Sequence, residues 1–115
     1  MKKIILLSAL LTASYFIAPS AKADNISLRI CEYVQANDKN RLRSYLKQNK
    51  LKMRKIYSGL ECNGDSLLIF AAKANGLEVG EFIIGKLPSK KVALEIDAIA
   101  KHSAHLAEEA RERVN

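Results

Sequence analysis

The sequence predicts an all-α fold for a small domain. Apolar side chains recur every three or four residues through most of the chain, which is the spacing of one face of a helix. Residues that cap or end helices separate these stretches, and no stretch alternates between apolar and polar residues as a half-buried strand does. We therefore expect about five helices, of which the last is long, and one disulfide.

The first 23 residues have the pattern of a secretory signal peptide. Two lysines precede an apolar run from Ile4 to Ala18, and Ala21-Lys22-Ala23 supplies the small residues that a signal peptidase requires. The alternative, an uncleaved membrane anchor, needs about 20 apolar residues, and this run is shorter. We expect cleavage before Asp24 and export of a single domain, residues 24–115, to the periplasm or the medium.

The composition of the exported part limits its function. The 115 residues include 19 basic and 12 acidic side chains, a net charge of +7, but three of the lysines belong to the leader. The exported part therefore keeps 16 basic and 12 acidic side chains. Its length and composition exclude a multidomain enzyme, a collagen-like fibre and a disordered chain.

Two helices are predicted at the start of the exported part. Asp24 or Asn25 could cap the first helix, which should end near Ala36, and Asn37 or Asp38 could cap the second. The second helix has an apolar stripe and a separate basic face, formed by Leu42, Tyr45 and Leu46 and by Lys39, Arg43 and Lys47. It is therefore amphipathic, with a basic outer surface.

A loop and two further helices are predicted next. The helical period is lost from Asn49 to Gly64, and Asn63-Gly64 is a turn dipeptide. Asp65 or Ser66 could cap a third helix, which is apolar on nearly all sides and therefore central. A fourth, short helix should end before Pro88, which cannot continue it.

A single long amphipathic helix is predicted after Pro88. Ser89 could cap it, and it should extend over about residues 89–114. Its apolar stripe steps by three or four residues through Val92, Ile96, Ile99, Ser103, Leu106, Ala110 and Val114. Because residues 95–113 of this helix carry five acidic and three basic side chains, the helix could fold back on the domain or pair with the basic second helix of another copy, which would give a homodimer.

Cys31 and Cys62 are the two cysteines of the chain. In an oxidising compartment an even pair indicates one disulfide. Their separation matches neither a Cys-x-x-Cys redox motif nor a zinc knuckle, and a reactive or metal-bound thiol is the alternative.

One segment resembles an ankyrin repeat. Residues 63–84 read Asn-Gly-Asp-Ser-Leu-Leu-Ile-Phe-Ala-Ala-Lys-Ala-Asn-Gly-Leu-Glu-Val-Gly-Glu-Phe-Ile-Ile. The family pattern has Thr-Pro-Leu-His-x-Ala-Ala, then an Asn-Gly turn and Leu-Glu-Val before a second apolar helix. Leu67 replaces the proline of the pattern and Ile69 replaces the histidine. The resemblance implies an ankyrin-like unit over about residues 37–87, with helix pairs of the kind that recognise other proteins.

The chain is also similar to a family of small exported gammaproteobacterial proteins that form a domain of unknown function. This resemblance extends from Ile30 to about Leu87. It rests on the motifs Ile-Cys-Glu-Tyr-Val, Asn-Asp-Lys-Asn-Arg-Leu-Arg and Glu-Cys-Asn-Gly-Asp-Ser-Leu. It implies no activity.

Residues 39–55 contain eight basic residues and no acidic one, namely Lys39, Arg41, Arg43, Lys47, Lys50, Lys52, Arg54 and Lys55. Such a segment could bind an anionic surface or partner, such as the phosphates of an envelope lipid, an acidic polymer or an acidic protein. The alternative is a solvated face that keeps the domain soluble. Nucleic acid is not expected, because the compartment disfavours it and the segment lacks the interleaved aromatic residues of single-strand binders.

His102, His105 and Glu109 share one face of the predicted last helix. Two imidazoles and a carboxylate could bind zinc or copper. The spacing is not that of His-Glu-x-x-His, however, and histidines on a charged helix are usually exposed. We expect neither a metal nor another cofactor.

The sequence contains no catalytic motif. It lacks Gly-x-Ser-x-Gly, a phosphate-binding glycine loop and a paired-carboxylate motif. Phe70, Phe82, Ile83 and Ile84 could line a ligand pocket, but their helical spacing is typical of a core. We therefore expect a non-catalytic protein-interaction module that binds a protein or an envelope component. The alternative is an anion- or envelope-lipid-binding protein that uses the basic segment.

Overall fold

Eight α-helices and one 3₁₀ turn form the part of the chain that the structure describes. The computed structural model describes residues 18–115. Its helices are α1 (Ala18–Gln35), α2 (Lys39–Gln48), α3 (Met53–Ile56), α4 (Leu67–Lys73), α5 (Leu77–Lys86), α6 (Ser89–Ala93), α7 (Ile96–Ala100) and α8 (Ala104–Val114), and the 3₁₀ turn is Tyr57–Gly59. Within these residues there is no β-strand, so the all-α prediction is confirmed. None of these helices has the length and apolarity needed to span a membrane.

Residues 1–17 of the predicted signal peptide lie outside the residues that the structure describes. Helix α1 begins at Ala18 and continues through the predicted cleavage point. The predicted helix start at Asp24 or Asn25 is therefore wrong for the uncleaved chain. Cleavage before Asp24 stays a prediction, and it would leave that residue at the start of α1.

Three helices end with the same backbone motif. Asn37, Lys50 and Asn75 follow α1, α2 and α4, and their φ angles of 55°, 54° and 58° are left-handed. After α4, the N–H of Gly76 donates to the carbonyl of Ala71 at 2.9 Å, which is the hydrogen bond of a Schellman motif. Asparagine tolerates this conformation better than most residues, so two of the three helix ends follow from local sequence.

Two of the predicted helix caps are confirmed. The Asp38 carboxylate accepts a hydrogen bond from the N–H of Arg41 at 3.1 Å, and the Ser66 hydroxyl accepts one from the N–H of Ile69 at 3.3 Å. Each bond satisfies one of the free N–H groups at a helix start. Asp38 and Ser66 are therefore the N-terminal caps of α2 and α4.

Asn37 also joins the end of α1 to the start of α5. Gly76 precedes α5 and has no side chain for capping, and a Cβ there would lie 3.1 Å from the carbonyl oxygen of Val34. The Asn37 side chain accepts a hydrogen bond from the N–H of Val79 at 2.9 Å instead. One residue thus ends one helix and caps another that is distant in sequence.

The predicted disulfide joins α1 to the turn before α4. Cys31 and Cys62 are bonded, with their Cα atoms 5.8 Å apart. Asn63 and Gly64 form the turn with φ angles of 55° and 83°, and Cys62 and Asp65 exchange backbone hydrogen bonds across it. Two consecutive positive φ angles are typical of a type I′ turn, for which Asn-Gly is the preferred pair.

The predicted loop from Asn49 to Gly64 is partly wrong, because it contains α3 and the 3₁₀ turn. Met53, Tyr57 and Leu60 recur at helical spacing and are buried, with exposed fractions of 4%, 3% and 5%. These side chains pack into the same core as α4. Because these three side chains are buried in the core, the segment forms helical turns instead of an irregular loop.

The predicted single helix over residues 89–114 is wrong, because the segment forms α6, α7 and α8. Leu94 at the first break is 83% exposed. Ser103 at the second break is extended, and its hydroxyl caps α8 by accepting from the N–H of Leu106 at 3.1 Å. Ser89 is the first residue of α6 rather than its cap. A straight 25-residue helix would extend about 37 Å, whereas the breaks let α7 pack on α4 and α8 on α5.

The core is centred on α4, which contacts α1, α5 and α7. Leu67, Leu68 and Ala71 of α4 are fully buried. The apolar stripe of α8 is also covered, since Leu106 and Ala110 have no exposed surface. The last segment therefore folds back on its own chain, and its pairing with a second copy stays a prediction.

Candidate functional site

A groove of about 490 Å³ opens between α2, α3, the end of α5 and the end of α8. Ligand-binding pockets in proteins commonly have volumes of about 300–1,000 Å³. The cations that line it are Arg43, Lys47, Lys52, Arg54, Lys86 and Arg113. We call this the basic groove.

No acidic residue lines the basic groove. Within residues 25–115, the ion pairs involve other side chains, namely Arg41 with Asp38, Lys73 with Asp65, Arg111 with Glu108 and His105 with Glu81. The six groove cations are therefore not neutralised by salt bridges within the described residues. Positive charges that converge without carboxylates produce a local positive potential that attracts anions.

The floor of the groove is apolar. Leu46, Met53 and Leu87 line it and are buried. Phe82 lies between two cations, with the Arg43 guanidinium 5.9 Å and the Lys86 ammonium 5.6 Å from its ring centre. Phe82 is half-buried and packs against the core while it also lines the groove, whereas Phe70, Ile83 and Ile84 are buried in the core as predicted.

Arg113 contributes to both the fold and the groove. Its guanidinium donates hydrogen bonds to the carbonyls of Ile84 and Leu87, at 3.3 Å and 2.8 Å. Carbonyl groups at a helix end lack partners within the helix and carry partial negative charge. Arg113 therefore satisfies the end of α5 and fixes α8 beside the groove.

The structure brings four of the eight predicted basic residues together. Arg43, Lys47, Lys52 and Arg54 line the groove, whereas Lys39, Lys50 and Lys55 do not, and Arg41 is paired with Asp38. The sequence prediction missed Lys86 and Arg113 because they are distant from this segment. Both lie in the last turn of a helix, which is the only local signal that they carry.

The structure brings together only two of the three residues considered as metal ligands. His105 and Glu109 lie near each other on α8, but His102 lies in the turn before the Ser103 cap and outside their cluster. Glu81 of α5 takes the third position and contacts the His105 imidazole. The hydrogen bond to Glu81 raises the pKa of His105 above its ordinary value, and the charges of Glu81 and Glu109 act in the same direction.

A second polar cluster joins Tyr57, Ser66 and Glu95. The Tyr57 and Ser66 hydroxyls both donate to one Glu95 oxygen, at 2.9 Å and 2.7 Å, and Tyr57 accepts from the N–H of Leu68 at 3.2 Å. Burial raises the pKa of the Tyr57 phenol, so this group stays protonated and acts as a donor. The cluster holds Glu95 at the break between α6 and α7. No local pattern in the sequence indicates this cluster.

Comparison with known proteins identifies one family. The family described as "Protein of unknown function (DUF3718)" matches residues 30–94, which include both cysteines and every groove cation except Arg113. No curated protein and no solved structure is significantly similar to the chain. Because the match covers more than half of the sequence, this chain belongs to the DUF3718 family of proteins of unknown function.

Proposed function

We propose that this protein is a small exported binding protein without catalytic activity, and that its basic groove binds the phosphate of an anionic envelope lipid. The observation that supports this most is the convergence of six cations from separate parts of the chain on one groove that no carboxylate lines. The predicted signal peptide supports this proposal, because export would bring the groove to the compartment where such lipids occur.

The shape of the groove favours a small charged group over the surface of a folded partner. A stable protein interface buries about 800 Å² on each side and is usually shallow. The basic groove is instead concave and has the volume of a small-ligand site, about 490 Å³. A phosphate headgroup fits such a site, because it concentrates negative charge in a small volume.

The chemistry of the lining residues also suits a phosphate. Arginine can donate two parallel hydrogen bonds to phosphate oxygens, and lysine supplies a compact charge. Contact with Phe82 holds the Arg43 and Lys86 side chains beside the ring, so less conformational entropy is lost when they bind.

The ankyrin-like resemblance supports a second candidate, a protein-interaction module. Helices α4 and α5 are joined by the Asn75-Gly76 turn of the family pattern, and Ala71 and Ala72 are buried between elements as that pattern expects. In this chain, however, α1 and α7 contact α4, while α2, α3 and α8 contact α5. The helix pair has little free surface, and so the groove is our first candidate.

Vesicle co-sedimentation tests the proposal. We expect the protein to sediment with vesicles of phosphatidylglycerol and phosphatidylcholine, but not with phosphatidylcholine alone. Binding should fall steeply with added salt, because the screening length drops from about 10 Å at 0.1 M to about 3 Å at 1 M. Equal binding to both vesicles, or binding that salt does not weaken, would contradict the proposal. Capture of an acidic protein with no vesicle binding would support the second candidate instead.

Two matched double variants locate the binding surface. Lys47→Gln with Lys86→Gln removes two groove charges, whereas Lys39→Gln with Lys55→Gln removes two charges outside the groove. At about 1 kcal/mol for each basic residue near an anionic surface, the groove variant should bind about 30-fold more weakly. The control should stay within about threefold of the wild type. Equal losses would show that overall charge, not the groove, drives binding.

A further inference from the structure

We propose that Glu81, His105 and Glu109 form a binding site for zinc. Glu81 belongs to α5, and His105 and Glu109 are one turn apart on α8. One ligand atom from each side chain lies within 4.8 Å of the others. The inference does not rest on the basic groove.

Close packing of α5 against α8 brings these ligands together. A Cβ at Gly80 would lie only 2.6 Å from Leu106 Cδ1, so the glycine permits an approach that another residue would obstruct. Leu106 is fully buried at this contact. Glu81 directly follows the glycine, and His105 directly precedes Leu106, so the same contact brings the backbone positions of the two ligands close together.

The ligand set suits zinc better than calcium or magnesium. Zinc binds imidazole nitrogen and carboxylate oxygen, at about 2.0–2.2 Å, whereas the other two cations prefer oxygen ligands only. Ligand atoms around a tetrahedral zinc therefore lie about 3.4 Å apart. The His105 and Glu81 side chains are 49% and 42% exposed and can rotate to close the remaining distance. Three protein ligands leave a fourth position for water.

The surrounding charge also favours a cation. Glu78 precedes Glu81 by three residues on α5, and Glu112 follows Glu109 by three residues on α8, so each lies on the next turn of the same face. Arg113 follows Glu109 by four residues, but its guanidinium donates to carbonyl groups at the end of α5. Zinc would replace the hydrogen bond between His105 and Glu81 and would link the two helices directly.

Calorimetric titration with zinc chloride in a phosphate-free buffer tests the site. We expect one zinc per chain for the wild type. His105→Ala, and separately Glu81→Gln with Glu109→Gln, should weaken binding by at least about tenfold. Glu81 and His105 are exposed and Glu109 is half-buried, and thermal unfolding without zinc will verify that each variant is folded.

His102→Ala is the matched control. It removes the other histidine of the chain, which is exposed and outside the cluster, and it should bind zinc like the wild type. The groove variant Lys47→Gln with Lys86→Gln should also bind zinc unchanged. The absence of heat beyond dilution, an equal loss in His102→Ala and His105→Ala, or wild-type binding by the double glutamine variant would each overturn the proposal.

Discussion

Breaking the Cys31–Cys62 disulfide should destabilise this protein strongly. The bond closes a loop with a sequence separation of 31 residues, which contains α2, α3 and the 3₁₀ turn. In the chain-entropy model, a loop of this length contributes about 3.7 kcal/mol at 25 °C by restricting the unfolded state. A domain of about 90 residues has a free energy of unfolding of about 5–14 kcal/mol, so this is a large share of the total.

Thermal unfolding followed by circular dichroism measures this contribution. For a domain of this size, each kcal/mol changes Tm by about 4–8 °C, so reduction should lower Tm by about 15–30 °C. Cys31→Ala with Cys62→Ala should lower Tm by a similar amount, and the Tm of this variant should not respond to the reductant. A decrease of less than about 5 °C in both cases would refute the reasoning.

Three further predictions concern single side chains. Asn37→Ala should destabilise the protein by about 1–3 kcal/mol in urea unfolding, because it removes the Val79 cap and strains a left-handed residue, whereas Asn37→Gly should lose less. Tyr57→Phe should lower the free energy of unfolding by about 1–3 kcal/mol in the same assay, because the N–H of Leu68 and the Glu95 carboxylate lose the hydroxyl as a partner. An unchanged urea midpoint would contradict a stabilising role for this cluster. Glu81→Gln should lower the pKa of His105 in an NMR titration, because Glu81 raises the pKa of His105 in the folded state. The His105–Glu81 pair stabilises the folded protein below the unfolded-state pKa of histidine, and this stabilisation is lost as pH rises through the folded-state pKa. An unchanged His105 titration would show that the ion pair does not form in solution.

Features that depend on neighbouring residues could be predicted from the sequence. Asp38 and Ser66 cap helices through bonds to residues three positions away, and Asn63-Gly64 forms its turn within four residues. The disulfide was predictable because two cysteines allow one pairing within the chain.

Features that depend on distant contacts could not be predicted. The stripe of the last segment identified Val92, Ile99, Leu106 and Ala110 correctly as buried, but a periodic pattern does not show where a chain bends. The first bend is at Glu95, which is held by hydroxyls 38 and 29 residues away in sequence. For the same reason, the sequence pattern did not identify Lys86 and Arg113 as groove residues, or Glu81 as a neighbour of His105.

The central claim is that the basic groove, and not the charged surface in general, binds phosphate. The most direct measurement is an NMR titration with glycerol phosphate that follows the backbone amide of each residue. We predict that the largest shifts occur at Arg43, Lys47, Phe82 and Lys86, and that they are absent when glycerol replaces glycerol phosphate. Shifts of equal size at Lys39, Lys55 and the groove, or no shifts at the groove, would contradict the account.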